Sequence, residues 1–335
     1  MLTSNIRGFE MIRHPANYAN YYSDDDYHKL RYLFGDSPRI INTHPLLGWV
    51  KSIDPKTYTH NDTINLQGRR PVLLYGDSFA GCASSVLCFE DILNSDPVFA
   101  QDYYLLNYGV GSYGLDQIYL LFQQSYHLYE DPFVVVSLMT LDLDRSILTV
   151  RFGQKPYFEL KDGELQLQGV PIYPDAQTFF EANPPKIKSY VYRSLLYNYF
   201  PPEVSEFMMG EADKTERKKN VNEKLILSFI KELRAHNIDF VFLVFHPHVP
   251  GVTHLDEEID WRDPFLRELF VTNEVPYIWS KELVQSDLDG APLVLENYLL
   301  PGDGHPTEHF NRLIAAEIKR EVLANSDTVS LSNFD

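Results

Sequence analysis

The 335-residue sequence has no long apolar run, almost no cysteine, and too few basic side chains to balance its acids. No stretch approaches the roughly 18 consecutive apolar residues of a membrane-crossing helix, so no span is expected. Met1 to Pro15 carries Asn5, Arg7, Glu10 and Arg13 and so lacks the apolar core of a signal peptide, which predicts a cytoplasmic location. Against 47 Asp and Glu stand only 29 Lys and Arg, a net charge of −18. That balance argues against a nucleic-acid partner, because neutralising phosphates takes clustered cations. It also disfavours docking on anionic lipid. The only cysteines, Cys82 and Cys88, fall six apart in a stretch that reads as helix. The interval puts them on different helix faces, so they are expected not to pair, and no oxidising compartment is implied.

What is present is a globular composition: 44% hydrophobic and 23% charged, far from a disordered chain. The length suits one large α/β domain with additions, or two small ones. Residues 1–69, rich in Tyr, Asn, Asp, His and Pro with little periodicity, read as an arm packed on the domain. From Pro71 onward short apolar runs alternate with helical periods. The runs are Val72–Tyr75, Tyr103–Leu106, Phe133–Met139, Phe240–Phe245 and Pro276–Trp279. Leu115, Ile118, Phe122 and Tyr126 mark one helical stripe, Leu225, Phe229 and Leu233 a second, and Phe310, Ile314 and Ile318 a third.

Continuously apolar strands between amphipathic helices predict a three-layer α/β sandwich with a central parallel sheet, spanning 70–325. Ligands of such sheets bind at the carboxyl ends of the strands. Residues 145–220 interrupt the alternation and read as a capping insertion. It opens with a β-hairpin over Tyr157–Gln168 around Asp162-Gly163, and its charged run Glu211–Lys219 reads as a solvated loop. Residues 326–335 read as a loose polar tail, and no internal repeat is found.

The strongest chemical signal is the apolar strand Val72–Tyr75 running into Gly76-Asp77-Ser78-Phe79, then the small residues Ala80 and Gly81. This pattern stands Ser78 at a strand-to-helix turn as a candidate nucleophile, with Asp77 holding the turn. Taken alone, a serine there is more often a helix cap. The second signal is Asp303-Gly304-His305 in a Gly/Pro loop ahead of the last helix, where His305 suits a general base and Asp303 its orienting partner.

Together these signals resemble the SGNH, or GDSL-type, hydrolase superfamily, over roughly residues 70–325. The segment Asn107-Tyr-Gly109-Val-Gly111-Ser112-Tyr-Gly114-Leu-Asp116-Gln117 resembles the family's second block, with Ser112 where a glycine would fall. The resemblance implies a flavodoxin-like SGNH fold and a Ser78–His305–Asp303 triad. It further implies an oxyanion hole made by backbone N–H groups at Ser78 and Ser112, beside Gly111. The third block departs. The family carries Gly-x-Asn-Asp, whereas this chain has Met139-Thr140-Leu141-Asp142, which leaves Thr140 as the nearest substitute donor and Asp142 as a site residue.

The segment Arg151–Pro171 is similar to SGNH-like proteins found with bacterial polysaccharide-synthesis enzymes. The resemblance thus implies an esterase of acetylesterase type acting on a small ester, with an acylated carbohydrate as the suggested substrate and no cofactor. Two alternatives stay open: an O-acyltransferase passing the acyl group to a glycan, and a weakly catalytic protein that binds saccharide or a partner. The oligomeric state is not legible.

Three other patterns carry weaker signals. Asp142-Leu-Asp144 matches a phosphatase motif, but it follows the third strand where that motif ends the first. His246-Pro247-His248 ends the fourth strand; two histidines suit a metal, yet one lining the pocket (His248) and one solvated is the plainer reading, and no metal is assigned. Gly109, Gly111 and Gly114 meet a dinucleotide spacing after the wrong strand.

Overall fold

The computed structural model describes residues 23–34, 42–50, 66–187, 189–201, 204, 207–208, 214–246 and 261–332. The chain divides into two compact units, one joining Met1–Pro55 with Leu143–Lys224, the other joining Lys56–Asp142 with Leu225–Asp335. In chain order, β1 (Asn42–His44) and β2 (Gly48–Val50) form an antiparallel pair in the first unit. Next come β3 (Arg70–Gly76), β4 (Tyr103–Gly109) and β5 (Phe133–Met139) of the second unit. The hairpin β6 (Tyr157–Lys161) and β7 (Glu164–Gln168) belongs to the first. Strands β8 (Phe240–Phe245) and β9 (Tyr277–Trp279) complete the second.

The second unit is an α/β sandwich on a five-stranded parallel sheet in the order β4-β3-β5-β8-β9. Counted along the chain this is 2-1-3-4-5, the doubly wound order whose winding reverses between the first and third strands. The reversal leaves a crevice beyond the carboxyl ends of β3 and β5, where Gly76 and Met139 stand. Every residue of β5 and β8 is buried, as expected for strands covered on both faces: β8 is apolar throughout, and β5 is apolar but for the buried Ser137. Helices Leu115–Ser125, Arg262–Thr272, Ser280–Leu288 and Glu308–Ser332 lie in this unit. The last runs on through 326–332, a stretch that reads as polar tail in sequence.

The first unit is held by polar contacts. Asp25 of helix Asp25–Phe34 accepts the Thr149 N–H at 2.8 Å and its hydroxyl at 2.9 Å. The Lys155 ammonium, 1% exposed, donates to the carbonyls of Arg145, Leu148 and Pro156. The β6–β7 turn puts Asp162 and Gly163 both at positive φ, 54° and 81°, which is what a two-residue hairpin loop demands. The described part of the charged run, Lys214–Lys219, is not the solvated loop expected. From Lys214 it is helical, and the buried Lys218 ammonium lies 2.8 Å from Asp144.

The cysteines also correct the sequence reading: Cys82 and Cys88 form a disulfide, their Cα atoms 5.6 Å apart. No helix runs between them. The helix after Ser78 stops at Gly81, Cys82 turns through φ 55°, and Cys88 starts a new helix, Phe89–Asn94. The helical spacing that would have kept the sulfurs apart is therefore absent.

Candidate active site

At the carboxyl end of β3 the chain turns sharply. Asp77 is fully buried and its Oδ1 accepts the Phe79 N–H at 2.8 Å, capping the one-turn helix Ser78–Gly81. This is the structural role expected of it, and it leaves Ser78 partly exposed at the first helical position. Glycine at 76 is a packing requirement, since a Cβ there would sit 2.6 Å from Ala80 Cβ and 2.9 Å from Ser137 Cβ.

The loop after β4 is pressed onto this turn. A Cβ on Gly109 would fall 2.2 Å from the Gly81 nitrogen, so only glycine permits the approach. The Val110 N–H donates to the Gly76 carbonyl at 3.0 Å, carrying the β3–β4 pairing one step past the strand ends. Asn107 clamps both sides: its amide donates to Ala80 O at 2.8 Å and Glu90 Oε2 at 2.6 Å, and its Oδ1 accepts the Gly109 N–H at 2.8 Å. Gly111 is thereby brought beside the nucleophile, the position of a Cβ on it lying 3.9 Å from Ser78 Cβ. Ser112 has φ 68°, the left-handed region. A serine at the glycine position of the motif thus keeps the conformation that glycine adopts freely.

His305 reaches the same edge from the loop before helix Glu308–Ser332. Its ring centroid is 5.4 Å from that of Phe79, the neighbour of Ser78. The Asp303 carboxylate is hydrogen-bonded to His305 Nδ1 and also accepts the His305 backbone N–H at 3.3 Å. The hydrogen bond from His305 holds the Asp303 carboxyl below its ordinary pKa. Thr307, not Asp303, serves the helix: its hydroxyl accepts the Phe310 N–H at 3.3 Å.

The remaining candidates are placed less favourably for substrate. Thr140 is fully buried; its N–H donates to Phe245 O at 3.0 Å and its Oγ1 has no hydrogen-bond partner. Asp142 is fully buried and accepts the Met139 N–H at 2.8 Å, the loop-holding role. Leu141, at the family's Asn position, is 5% exposed. His248 lies outside the described residues.

His246 is not the solvated histidine of the pair. It is buried with Nε2 3.3 Å from Asp263 Oδ1 and Nδ1 3.0 Å from Ser280 Oγ, while Lys281 Nζ lies 2.5 Å from Asp263 Oδ2. Burial holds the His246 pKa down, against the opposing pull of Asp263. For Asp263, burial pushes upward, but His246 and Lys281 bring it below the usual value. Among the described residues no three His, Cys, Asp or Glu side chains gather as a metal site would need, and no helix is long and apolar enough to cross a membrane.

No family model matches the chain, and no curated protein does. Among solved structures it is similar to a protein of the G-D-S-L lipolytic family from Desulfitobacterium hafniense, at 12% identity and TM-score 0.42 over 76% of this chain and 99% of that one. It is also similar to a lipase/acylhydrolase from Enterococcus faecalis, at 13% identity and TM-score 0.39 over 76% and 96%. A third is a variant of an acetylxylan esterase from Geobacillus stearothermophilus, at 11% identity and TM-score 0.38 over 76% and 94%.

Proposed function

We infer that the protein is a serine ester hydrolase of SGNH type, with Ser78 as nucleophile, His305 as general base and Asp303 as the group that orients it. The observation that carries this reading is the Asp303 carboxylate on His305 Nδ1, in a ring that packs against the neighbour of Ser78. With Nδ1 so engaged, Nε2 is the nitrogen left to accept a proton. Ser78 Oγ adds to the ester carbonyl carbon as its proton passes to His305. The tetrahedral oxyanion takes hydrogen bonds from the backbone N–H groups of Ser78 and Ser112. Collapse breaks the bond to the leaving alcohol, which takes the proton from His305, and water activated by the same imidazole then releases the acid.

A small acyl group on a carbohydrate is the substrate class this reading favours, from the likeness of the 151–171 segment to polysaccharide-associated proteins. The buried Leu141 favours a second reading, a weakly catalytic saccharide-binding protein, because it removes one oxyanion donor. As for compartment, the Cys82–Cys88 disulfide supports an oxidising environment over the cytoplasmic one expected from the sequence.

Intact-mass analysis after fluorophosphonate treatment tests the proposal. One adduct on the unmodified chain is expected, absent from Ser78→Ala and slowed in His305→Ala. No adduct on folded protein would transfer the case to the binding reading.

A further inference from the structure

The ester chemistry makes no use of a cavity of about 560 Å3 that lies wholly within the first unit. Its size falls in the range of small-molecule sites, about 300–1,000 Å3. It is walled by helix Asp25–Phe34, the β6 strand and the first turns of helix Lys214–Ala235.

The charge of this cavity runs against that of the chain. In a protein of net charge −18, four cations line it: Lys29, Lys186, Lys214 and Arg217. The acids beside them are committed elsewhere. Asp25 holds Thr149 and lies 2.8 Å from Lys29. Asp26 accepts the Ile187 N–H at 2.7 Å, and burial raises its pKa, which favours the neutral acid. Glu159 stands 3.7 Å from Arg217, both about half exposed, which makes a weak pair that an incoming anion can replace. The guanidinium of Arg217 and the exposed ammonium of Lys186 are thus the donors for a ligand anion, the first suited to grip two oxygens at once.

The cavity also offers flat apolar surface. Tyr157 is half-buried in its wall, while Phe207 lines it at 73% exposure. An aromatic ring so exposed beside polar groups suits the C–H face of a sugar ring.

We propose that the first unit binds an acidic sugar here, a pyranose bearing a carboxylate or phosphate, with its anion on Arg217 and Lys186 and its ring on Tyr157 and Phe207. The proposal stands on this cavity alone and does not depend on the ester reading.

Calorimetric titration of the full chain tests it, with trigalacturonate, glucose 6-phosphate, neutral maltotriose and inorganic phosphate as probes. Saturable binding of trigalacturonate or of glucose 6-phosphate is expected, and whichever binds identifies the anion. Binding should weaken about tenfold or more in the surface variant Lys186→Gln/Arg217→Gln, a loss of about 1.4 kcal/mol or more. It should weaken as well in Phe207→Ala, and as salt rises. Four outcomes would overturn the proposal: no binding by either acidic sugar, maltotriose binding as well as they do, phosphate alone matching glucose 6-phosphate, or affinity unchanged in the double variant. Because no arm reads ester hydrolysis, an inactive Ser78 site leaves this result interpretable.

Discussion

Asp303 and His305 meet side chain to side chain across one intervening residue, because Gly304 between them turns through φ 80°. The left-handed glycine is what lets the two side chains meet across so short a gap. A Cβ at 304 would touch nothing within 4 Å, so the position demands glycine for its backbone alone. Gly304→Ala is expected to strain the loop by about 1–2 kcal/mol and to lower kcat/KM. His305→Ala should cost about 10²- to 10⁴-fold in kcat, and Asp303→Asn about 10²-fold or more. Steady-state kinetics on an aryl acetate checks all three, and an Asp303→Asn enzyme with unchanged kcat would remove Asp303 from the mechanism.

The Gly109–Gly81 approach makes a separate prediction. Gly109→Ala puts a methyl where the backbone of the nucleophile's helix already sits, and should destabilise by about 1–3 kcal/mol. Fluorophosphonate labelling should slow as well, since the displaced element carries Ser78. A variant that loses stability but labels at the normal rate would show the two loops to be independent.

At 112 the backbone, not the side chain, is expected to matter. Ser112→Gly should gain up to about 1 kcal/mol by relieving the positive φ, with activity kept because the N–H remains. Leu141→Asn should raise kcat by supplying a side-chain donor worth about 10²-fold at most, given that Leu141 is buried. Denaturant melts and kinetics on the two variants separate strain from catalysis; no gain at 141 would mean that the hole is complete without it.

Acid should loosen the end of β8. His246 has its pKa lowered by burial, so the unfolded chain binds the extra proton first as pH falls. Its contribution is full above the unfolded value, about 6.5, and is lost as pH drops below that toward the folded pKa. Asp263, also lowered, adds a further loss below about 4. Thermal melts between pH 8 and 5 should fall with acidification, and His246→Gln should flatten that slope. A parallel slope in the variant would assign the loss to other groups.

Opening the Cys82–Cys88 bridge closes the set. A loop this short constrains the unfolded chain by about 2 kcal/mol, which should appear as a Tm about 4–8 °C lower in Cys82→Ser/Cys88→Ser. Iodoacetamide should label the unfolded wild type only after reduction. Ready alkylation without reductant would show that the bridge does not form.

The parts of the fold visible in the sequence were those written locally. Phe240–Phe245 is apolar without a break and Phe133–Met139 is broken only by Ser137, and both strands begin and end at those residues. Asp162-Gly163 marks its own turn. Ser78, Gly111, Asp303 and His305 sit in short motifs whose backbone demands, small residues and positive φ, can be read residue by residue. Pairings between distant residues were hidden. His246, Asp263 and Lys281 lie 17 and 18 residues apart on three elements, and nothing local to any of them names the others. Lys218 reads as surface because its partner Asp144 belongs to another segment. The disulfide is hidden because its spacing suggests a helical period, whereas the chain leaves the helix after Gly81 and turns at Cys82.

The bond from Thr149 to Asp25 spans 124 positions of chain. On a ribosome adding about 5–20 residues per second, helix Asp25–Phe34 emerges roughly 6–25 s before the Thr149 donor does. During that interval the opening segment has no half of its own unit to fold against, while β3, β4 and β5 of the other unit are already being made. Birth order and assembly order therefore differ: helix Asp25–Phe34 is made well before the Leu143–Lys224 half of the unit it belongs to.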